Sequence, residues 1–310
     1  MKRRDFIQRT VSAGILLSVG AFPLEAIAKG DTKKITILHT NDQHSRIEPF
    51  PMDGGKYQGL GGFAQRATLI EQIRKQERNV LLLDSGDIWQ GTPYFNIYGG
   101  ELEFKLMSEM KYDATTLGNH DFDAGIDGFV KQLKHANFPF LNCNYNFADT
   151  AMDGHILSHK TFLFDGVKVG VFGVGIELQG LVPKDLYGNV QYNDPISAAN
   201  KTADALKLQH GCDLVVCLSH LGYKYEEKKV SDIDLAHQTK NIDLILGGHT
   251  HTFFDKPEEI LNVNGKKVLI NQVGWAGICV GRLDFYFEPE KKVVLASSTP
   301  LLLANYKTSG

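Results

Sequence analysis

The chain has 310 residues, of which 43% are apolar and 22% charged, a balance that excludes a disordered or fibrous protein and leaves room for one large domain or two small ones. A formal charge of -3 offers no basic face for neutralising phosphates, so duplex nucleic acid is excluded as an expected partner. Four cysteines are too few for a disulfide scaffold, and Cys212 and Cys217, at odd spacing on one apolar run, are expected to point to opposite faces of a strand as separate buried thiols.

The N-terminal segment reads as an address. Lys2, Arg3, Arg4 and Arg9 make a basic start, Val11 to Phe22 an apolar stretch, and Ala26-Ile27-Ala28 a small-x-small cleavage pattern. The run Lys2-Arg3-Arg4-Asp5-Phe6-Ile7-Gln8 resembles the twin-arginine consensus, with Lys2 where Ser or Thr is usual. That route exports folded cargo, which suits a protein that takes up metal before leaving the cytoplasm. The apolar stretch is shorter than the roughly 20 residues a bilayer span needs and is interrupted by Ser and Gly, so no stable membrane anchor is expected. The expectation is an exported, periplasmic chain, with a signal peptide over 1–28 and one domain over 29–310.

Beyond the signal, short apolar runs alternate with amphipathic stretches, the pattern of βαβ units and a largely parallel sheet. The predicted strands are 35–38, 80–83, 114–117, 167–174, 214–218 and 244–246. Between them Phe63, Ala67, Ile70 and Ile73 recur at helical spacing, as do Phe104, Leu106, Met107 and Met110, and again Ala199, Ala203 and Leu206. After Lys256 the pattern becomes hairpins, one turning at 262–266 and one pairing 281–287 with 291–295, which predicts a second sheet finishing the domain. The tail after Ala304 is expected to fray.

Residues able to ligate metal cluster just past the ends of five of these strands: Asp42 and His44, Asp87, Asn119 and His120, His220, then His249 and His251. In open α/β sheets the crevice beyond the strand carboxyl ends is where ligands bind, so residues far apart in sequence are expected to meet there. Gly86, Gly118, Gly247 and Gly248 would allow sharp exits from the strands. Two ions roughly 3.5 to 4 Å apart need a shared ligand, and the carboxylate of Asp87 is the candidate bridge. Four imidazoles favour Zn, Mn or Fe over Ca or Mg.

The blocks Asn41-Asp42-Gln43-His44, Gly86-Asp87, Gly118-Asn119-His120-Asp121-Phe122-Asp123, Ser219-His220 and Gly247-Gly248-His249-Thr250-His251 resemble, in order, those of the calcineurin-like metallophosphoesterases. Asn119 to Asp123, together with Gly61-Gly62-Phe63-Ala64-Gln65-Arg66-Ala67, bring the chain nearest to the catalytic domain of secreted 5'-nucleotidases and 2',3'-cyclic-nucleotide phosphodiesterases. The resemblance implies an α/β fold, a four-layer α/β/β/α sandwich of two mixed sheets. It also implies a hydrolase with two divalent ions, one completed by Asp42, His44 and His251 and the other by Asn119, His220 and His249. Some 5'-nucleotidases have Gln at the position of His251, so this chain carries the more general phosphoesterase form there.

Water between two dications loses its proton near neutral pH and can attack phosphorus in line. His120 resembles the family histidine that stabilises the transition state or protonates the leaving oxygen, with Asp123 holding its ring. The implied substrate is a nucleotide or another phosphate ester, hydrolysed in the manner of a 5'-nucleotidase. Rival readings are a 2',3'-cyclic-nucleotide phosphodiesterase, a nucleotide-sugar or sulfur-ester hydrolase, and a noncatalytic metal-binding subunit. The resembled secreted nucleotidases carry a second domain that clamps the nucleotide, and this chain is expected to lack it. The expectation is that a separate substrate-binding domain protein supplies those contacts or that the catalytic domain acts alone.

The other six histidines, His39, His135, His155, His159, His210 and His237, are expected to be core or surface residues. Asp84 is expected to satisfy backbone donors and Asp121 to cap the segment after it. The glycines at 54–62 read as a mobile loop near Asp42, since no Lys-Ser/Thr ending makes them a phosphate-binding loop. Trp89, Tyr94, Phe95 and Tyr98 are expected chiefly to pack, with lining of a substrate mouth as the alternative.

Overall fold

Alternation along the strands decides how the layers stack. The computed structural model describes residues 32–288 and 293–303; the expected signal peptide and fraying tail lie outside them. In chain order the strands are β1 (Lys33–Thr40), β2 (Val80–Asp84), β3 (Ala114–Thr115), β4 (Tyr145–Asn146), β5 (His159–Phe164), β6 (Val167–Val174) and β7 (Gln191–Tyr192). They continue with β8 (Leu214–Ser219), β9 (Leu244–Leu246), β10 (Glu258–Leu261), β11 (Lys267–Asn271), β12 (Cys279–Phe287) and β13 (Val293–Leu302). The helices the core uses are α1 (Phe63–Gln76), α2 (Pro93–Tyr98), α3 (Glu101–Glu109), α4 (Gly125–Gln132), α5 (Lys184–Tyr187), α6 (Pro195–Asp204) and α7 (Asp232–Gln238).

One sheet has the order β13-β12-β1-β2-β3 and the other β10-β11-β9-β8-β6-β5, with β4 and β7 forming a small ribbon. Both large sheets are mixed: β1, β2 and β3 run parallel beside antiparallel β12, and β6, β8, β9 and β11 run parallel between antiparallel β5 and β10. Successive strand residues face opposite ways. Ile35, Ile37, Leu81 and Leu83 therefore meet Val169, Val171, Leu214, Val216 and Leu244 in a core between the sheets. Leu38 and Leu82 point outward to Ile70, Phe104 and Phe129 of α1, α3 and α4. On the far side Val215, Cys217 and Ile245 pack on Ala199, Ala203 and Leu235 of α6 and α7. Four layers, α/β/β/α, result.

Two expectations change and a third gains a residue. The C-terminal hairpins do not form a sheet of their own: β10 and β11 extend the sheet begun by β5 and β6, while β12 and β13 close the sheet of β1. Cys212 lies before β8 rather than on it, so strand alternation does not apply, and it packs in the same outer core as Cys217; both are free and buried. On α1 Ala67 packs against the core as expected, and Arg66 beside it is fully buried as well, its guanidinium lying 3.9 Å from the centre of the Phe63 ring.

Candidate metal centre

Each parallel strand of the two sheets releases its chain at the same rim. Asp42 and His44 follow β1, Asp87 follows β2, Asn119 and His120 follow β3, His220 is the residue after β8, and His249 and His251 follow β9. The turns are tight enough that Asp42, His44, Asp87, His249 and His251 all hold positive φ, between 48° and 68°. That left-handed conformation is uncommon for residues other than Gly and costs of order 1–3 kcal/mol, a strain that concentrates at functional sites. Two glycines let the loops close in: a Cβ on Gly118 would overlap the Asp87 carboxylate, and one on Gly248 would lie 2.8 Å from His220 Nδ1 and 3.1 Å from Asp42 Oδ2.

The residues converge as two groups, Asp42 with His44 and His251, and Asp87 with His220 and His249, each with its ligand atoms within 4.8 Å of one another. His251 Nε2 is 3.3 Å from Asp42 Oδ1 and 3.0 Å from His44 Nε2. The carboxylates border both groups: Asp87 Oδ2 lies 3.1 Å from His220 Nε2 and 3.9 Å from His44 Nε2, and Asp42 Oδ1 lies 4.0 Å from His220 Nε2. The His249 amide donates to both oxygens of Asp42, at 3.0 Å each. Asn119 Oδ1 sits 2.9 Å from His249 Nδ1.

The chemistry of this donor set fits divalent cations. His220 Nδ1 donates to the Ser85 carbonyl at 2.6 Å, which fixes the ring and leaves Nε2 to face the carboxylates. That Nε2 is fully buried and, although 3.1 Å from Asp87, is not aligned for a hydrogen bond. His44 is held in the same way, Nδ1 against the Trp89 carbonyl at 3.3 Å. Burial pushes His249 down to about 4 and also lowers His44, so both rings are neutral and able to ligate at neutral pH. Burial acts against charge on His220 as well, yet Asp87, Asp42 and the Ser85 carbonyl push it up to about 10. Asp87 itself is held well below the usual carboxylate range by His220 and His44 in spite of burial. The pocket thus calls for positive charge between its two acids.

Beside the groups, His120 Nδ1 lies 2.8 Å from Asp123 Oδ2, and the His120 amide donates to Asp87 Oδ1 at 2.8 Å. The hydrogen bond to Asp123 raises the pKa of His120 above its ordinary value. All nine residues singled out from the sequence are therefore in one place. Asp84 accepts from the Gly86 amide at 3.0 Å, as expected, and from Thr40 and Gln43. Asp121 does not cap the segment after it: its oxygens accept from the amides of Asp87, Ile88 and Gly118, tying two ligand loops together. Trp89 and Phe95 pack against each other, with Trp89 fully buried, so the mouth reading does not apply to that tryptophan. An aromatic group that sequence reasoning missed lies on the other side, where Trp275 stacks on His251 and touches Phe50 and Tyr57.

Two His/Asp groups bordered by shared carboxylates, at the rim of an α/β/β/α sandwich, define a candidate centre for two divalent metal ions. The chain belongs to the calcineurin-like phosphoesterase family, whose model matches residues 35–253. It is 35% identical over 290 residues to the snake venom 5'-nucleotidase of Naja atra, covering 87% of this chain and 53% of that protein. Among solved structures, a 5'-nucleotidase precursor from Thermus thermophilus superposes with a TM-score of 0.79 at 30% identity, over 88% of this chain and 55% of the other. The NAD nucleotidase of Haemophilus influenzae does so with 0.77 at 29%, over 88% and 51%. The chain spans about half the length of the curated relatives it matches.

Proposed function

We propose that the chain is a metal-dependent phosphohydrolase that removes phosphate from nucleotides in the manner of a 5'-nucleotidase. The observation that carries this reading is the convergence of Asp42, His44 and His251 with Asp87, His220 and His249 beside the His120–Asp123 pair. Similarity to 5'-nucleotidases of several organisms supports the substrate class.

In this reading Asp42, His44 and His251 would hold one divalent ion, Asn119, His220 and His249 would hold the other, and the carboxylate of Asp87 would serve both. When bound, such ions polarise phosphoryl oxygens and lower the pKa of water. The protein's own residues do the rest. Asp123 accepts from His120 Nδ1 and orients the ring, and His120 keeps a proton on Nε2 to give to the leaving oxygen. Ser85 and Trp89 carbonyls keep His220 and His44 in the ligating tautomer. Export by a twin-arginine signal over 1–28 to the periplasm belongs to the same proposal. Among the described residues no helix is long and apolar enough to cross a membrane.

Metal analysis combined with phosphate release from AMP, 2',3'-cyclic AMP, UDP-glucose and a generic aryl phosphate tests the reading. Two equivalents of metal with AMP as the preferred substrate are expected. Preference for the cyclic ester or the nucleotide sugar would reassign the substrate, and two bound ions with no turnover would make the chain a metal-binding subunit.

A further inference from the structure

The metal centre opens beside His251, whose side chain is 38% exposed. One face of that ring is covered by Trp275, parallel within 4° and 5.4 Å away. From Trp275 the aromatic surface continues outward: Tyr57 meets it edge-on at 6.3 Å, and Phe253 stacks on Tyr57 at 6.3 Å. Phe253 is 44% exposed, and Tyr57 and Trp275 are half-buried. Tyr57 and Trp275 cover the small apolar cluster of Val273, Ala276, Ile278 and Cys279 on their inner side, and the aromatic surface they leave open beside a charged centre has the character of a binding face.

The loop carrying Trp275 buries Val273, Ala276 and Ile278 in that small apolar cluster and is also hydrogen-bonded to the metal-binding segments. Ala276 takes a positive φ of 56°, and its amide donates to the Asp42 carbonyl at 2.7 Å. Asn41 accepts from the Val273 amide at 3.0 Å and donates to the Gly274 carbonyl at 2.5 Å, while the Gly274 amide donates to the Thr252 carbonyl at 2.9 Å. A non-glycine residue in the left-handed region, fixed by this many hydrogen bonds, places one side chain at one spot at a cost in strain.

We propose that Trp275, Tyr57 and Phe253 form an aromatic shelf that receives the planar group of the ester, so that the catalytic unit itself selects substrates bearing a nucleobase or an aryl ring. This rests on the phosphohydrolase reading. A phosphate held by the two groups places the rest of its ester at the open side, within reach of the shelf, and π-faces stack on any base or aryl ring with little regard to its hydrogen-bonding edge.

The two tryptophans allow a binding readout that needs no turnover, because Trp89 is fully buried and Trp275 is not. Adenosine is expected to quench emission from the wild-type chain and ribose not to, with the quench lost in Trp275→Phe. In kinetics, the ratio of kcat/KM for AMP to that for glycerol 3-phosphate is expected to fall about tenfold in Phe253→Ala and in Tyr57→Ala, the size of one base–aromatic stack. An aryl phosphate in place of AMP tells whether a bare ring suffices. Either the absence of an adenosine quench or a ratio unchanged within about twofold, well short of one stack, overturns the shelf. If no ester is hydrolysed at all, the phosphohydrolase reading falls while the adenosine titration still decides the shelf.

Discussion

His120 and Asp87 sit in contact yet are asked to do different work, and single substitutions separate the two. His120 meets the centre in two ways, its amide donating to Asp87 at 2.8 Å and its ring, held by Asp123, standing edge-on 5.3 Å from the ring of His44. His120→Ala keeps that amide and removes the ring. Turnover is expected to drop by roughly 10² or more, the usual scale of a lost general acid, while metal content stays near that of the wild type. Phosphate release and metal analysis on the same preparation check it, and wild-type turnover would take His120 out of the mechanism. Asp87→Asn acts in the opposite order. The carboxylate has His220 on one side at 3.1 Å and His44 on the other at 3.9 Å, so its charge serves both groups. Exchange for a neutral amide is expected to lower occupancy of both ions, and two full equivalents retained would contradict a shared ligand there.

The ligand loops are the elements on which the centre depends, and they differ in how much of their role could be read beforehand. Strand ends were legible because a buried parallel strand is a short apolar run, and the turn chemistry after it stands out against that run; Gly86-Asp87 and Gly247-Gly248-His249 are examples. Lateral contacts between loops leave no such trace. The three amides that meet Asp121 come from two different loops, and Trp275 lies on the connection between β11 and β12, whose path back to Asp42 and His251 has no periodic signature. Cys212 stands apart for a related reason: Asp213 separates it from the apolar run that begins at Leu214, so the odd spacing to Cys217 spans a break in the strand. Packing between the loops gives a further prediction. Gly118 lies directly against Asp87, so in Gly118→Ala the added methyl has to push the two loops apart. A stability loss of about 1–3 kcal/mol is expected from overpacking, accompanied by weaker metal binding because the displaced residue is a candidate ligand. Thermal unfolding with and without added metal separates the two effects; a variant with normal stability and normal metal affinity would mean that the loops have room.

At the scale of the whole molecule, the centre exists because two sheets present their strand ends at one rim, and what holds the sheets in register there includes buried polar contacts beside the apolar layer, such as Ser85 Oγ donating to the Leu246 carbonyl at 2.7 Å. His39 on β1 is fully buried, and its Nε2 accepts from Asn271 Nδ2 on β11 of the other sheet at 2.8 Å. Burial lowers the pKa of His39 from 6.5 to about 3, so the native protein keeps it neutral. In the unfolded chain the ring takes a proton below about pH 6.5, and between there and pH 3 the unfolded state binds a proton that the native state refuses. Native stability from this group is therefore complete above pH 6.5 and declines as pH falls, by about 2 kcal/mol at pH 5. Asp84 and Asp232, raised by burial to about 6 and about 8, act with the opposite sign, because the native state keeps their protons and loses stability as pH rises through those values. The wild-type curve is thus a composite, but its difference from His39→Gln isolates the histidine. Glutamine costs some packing at every pH and does not titrate. The gap in unfolding free energy between wild type and variant, followed by denaturant titration, is expected to narrow by about 2 kcal/mol from pH 7 to pH 5. A gap that stays constant would mean that the ring is protonated in the folded protein, and that the contact between the sheets is an ion-assisted one instead of a neutral hydrogen bond.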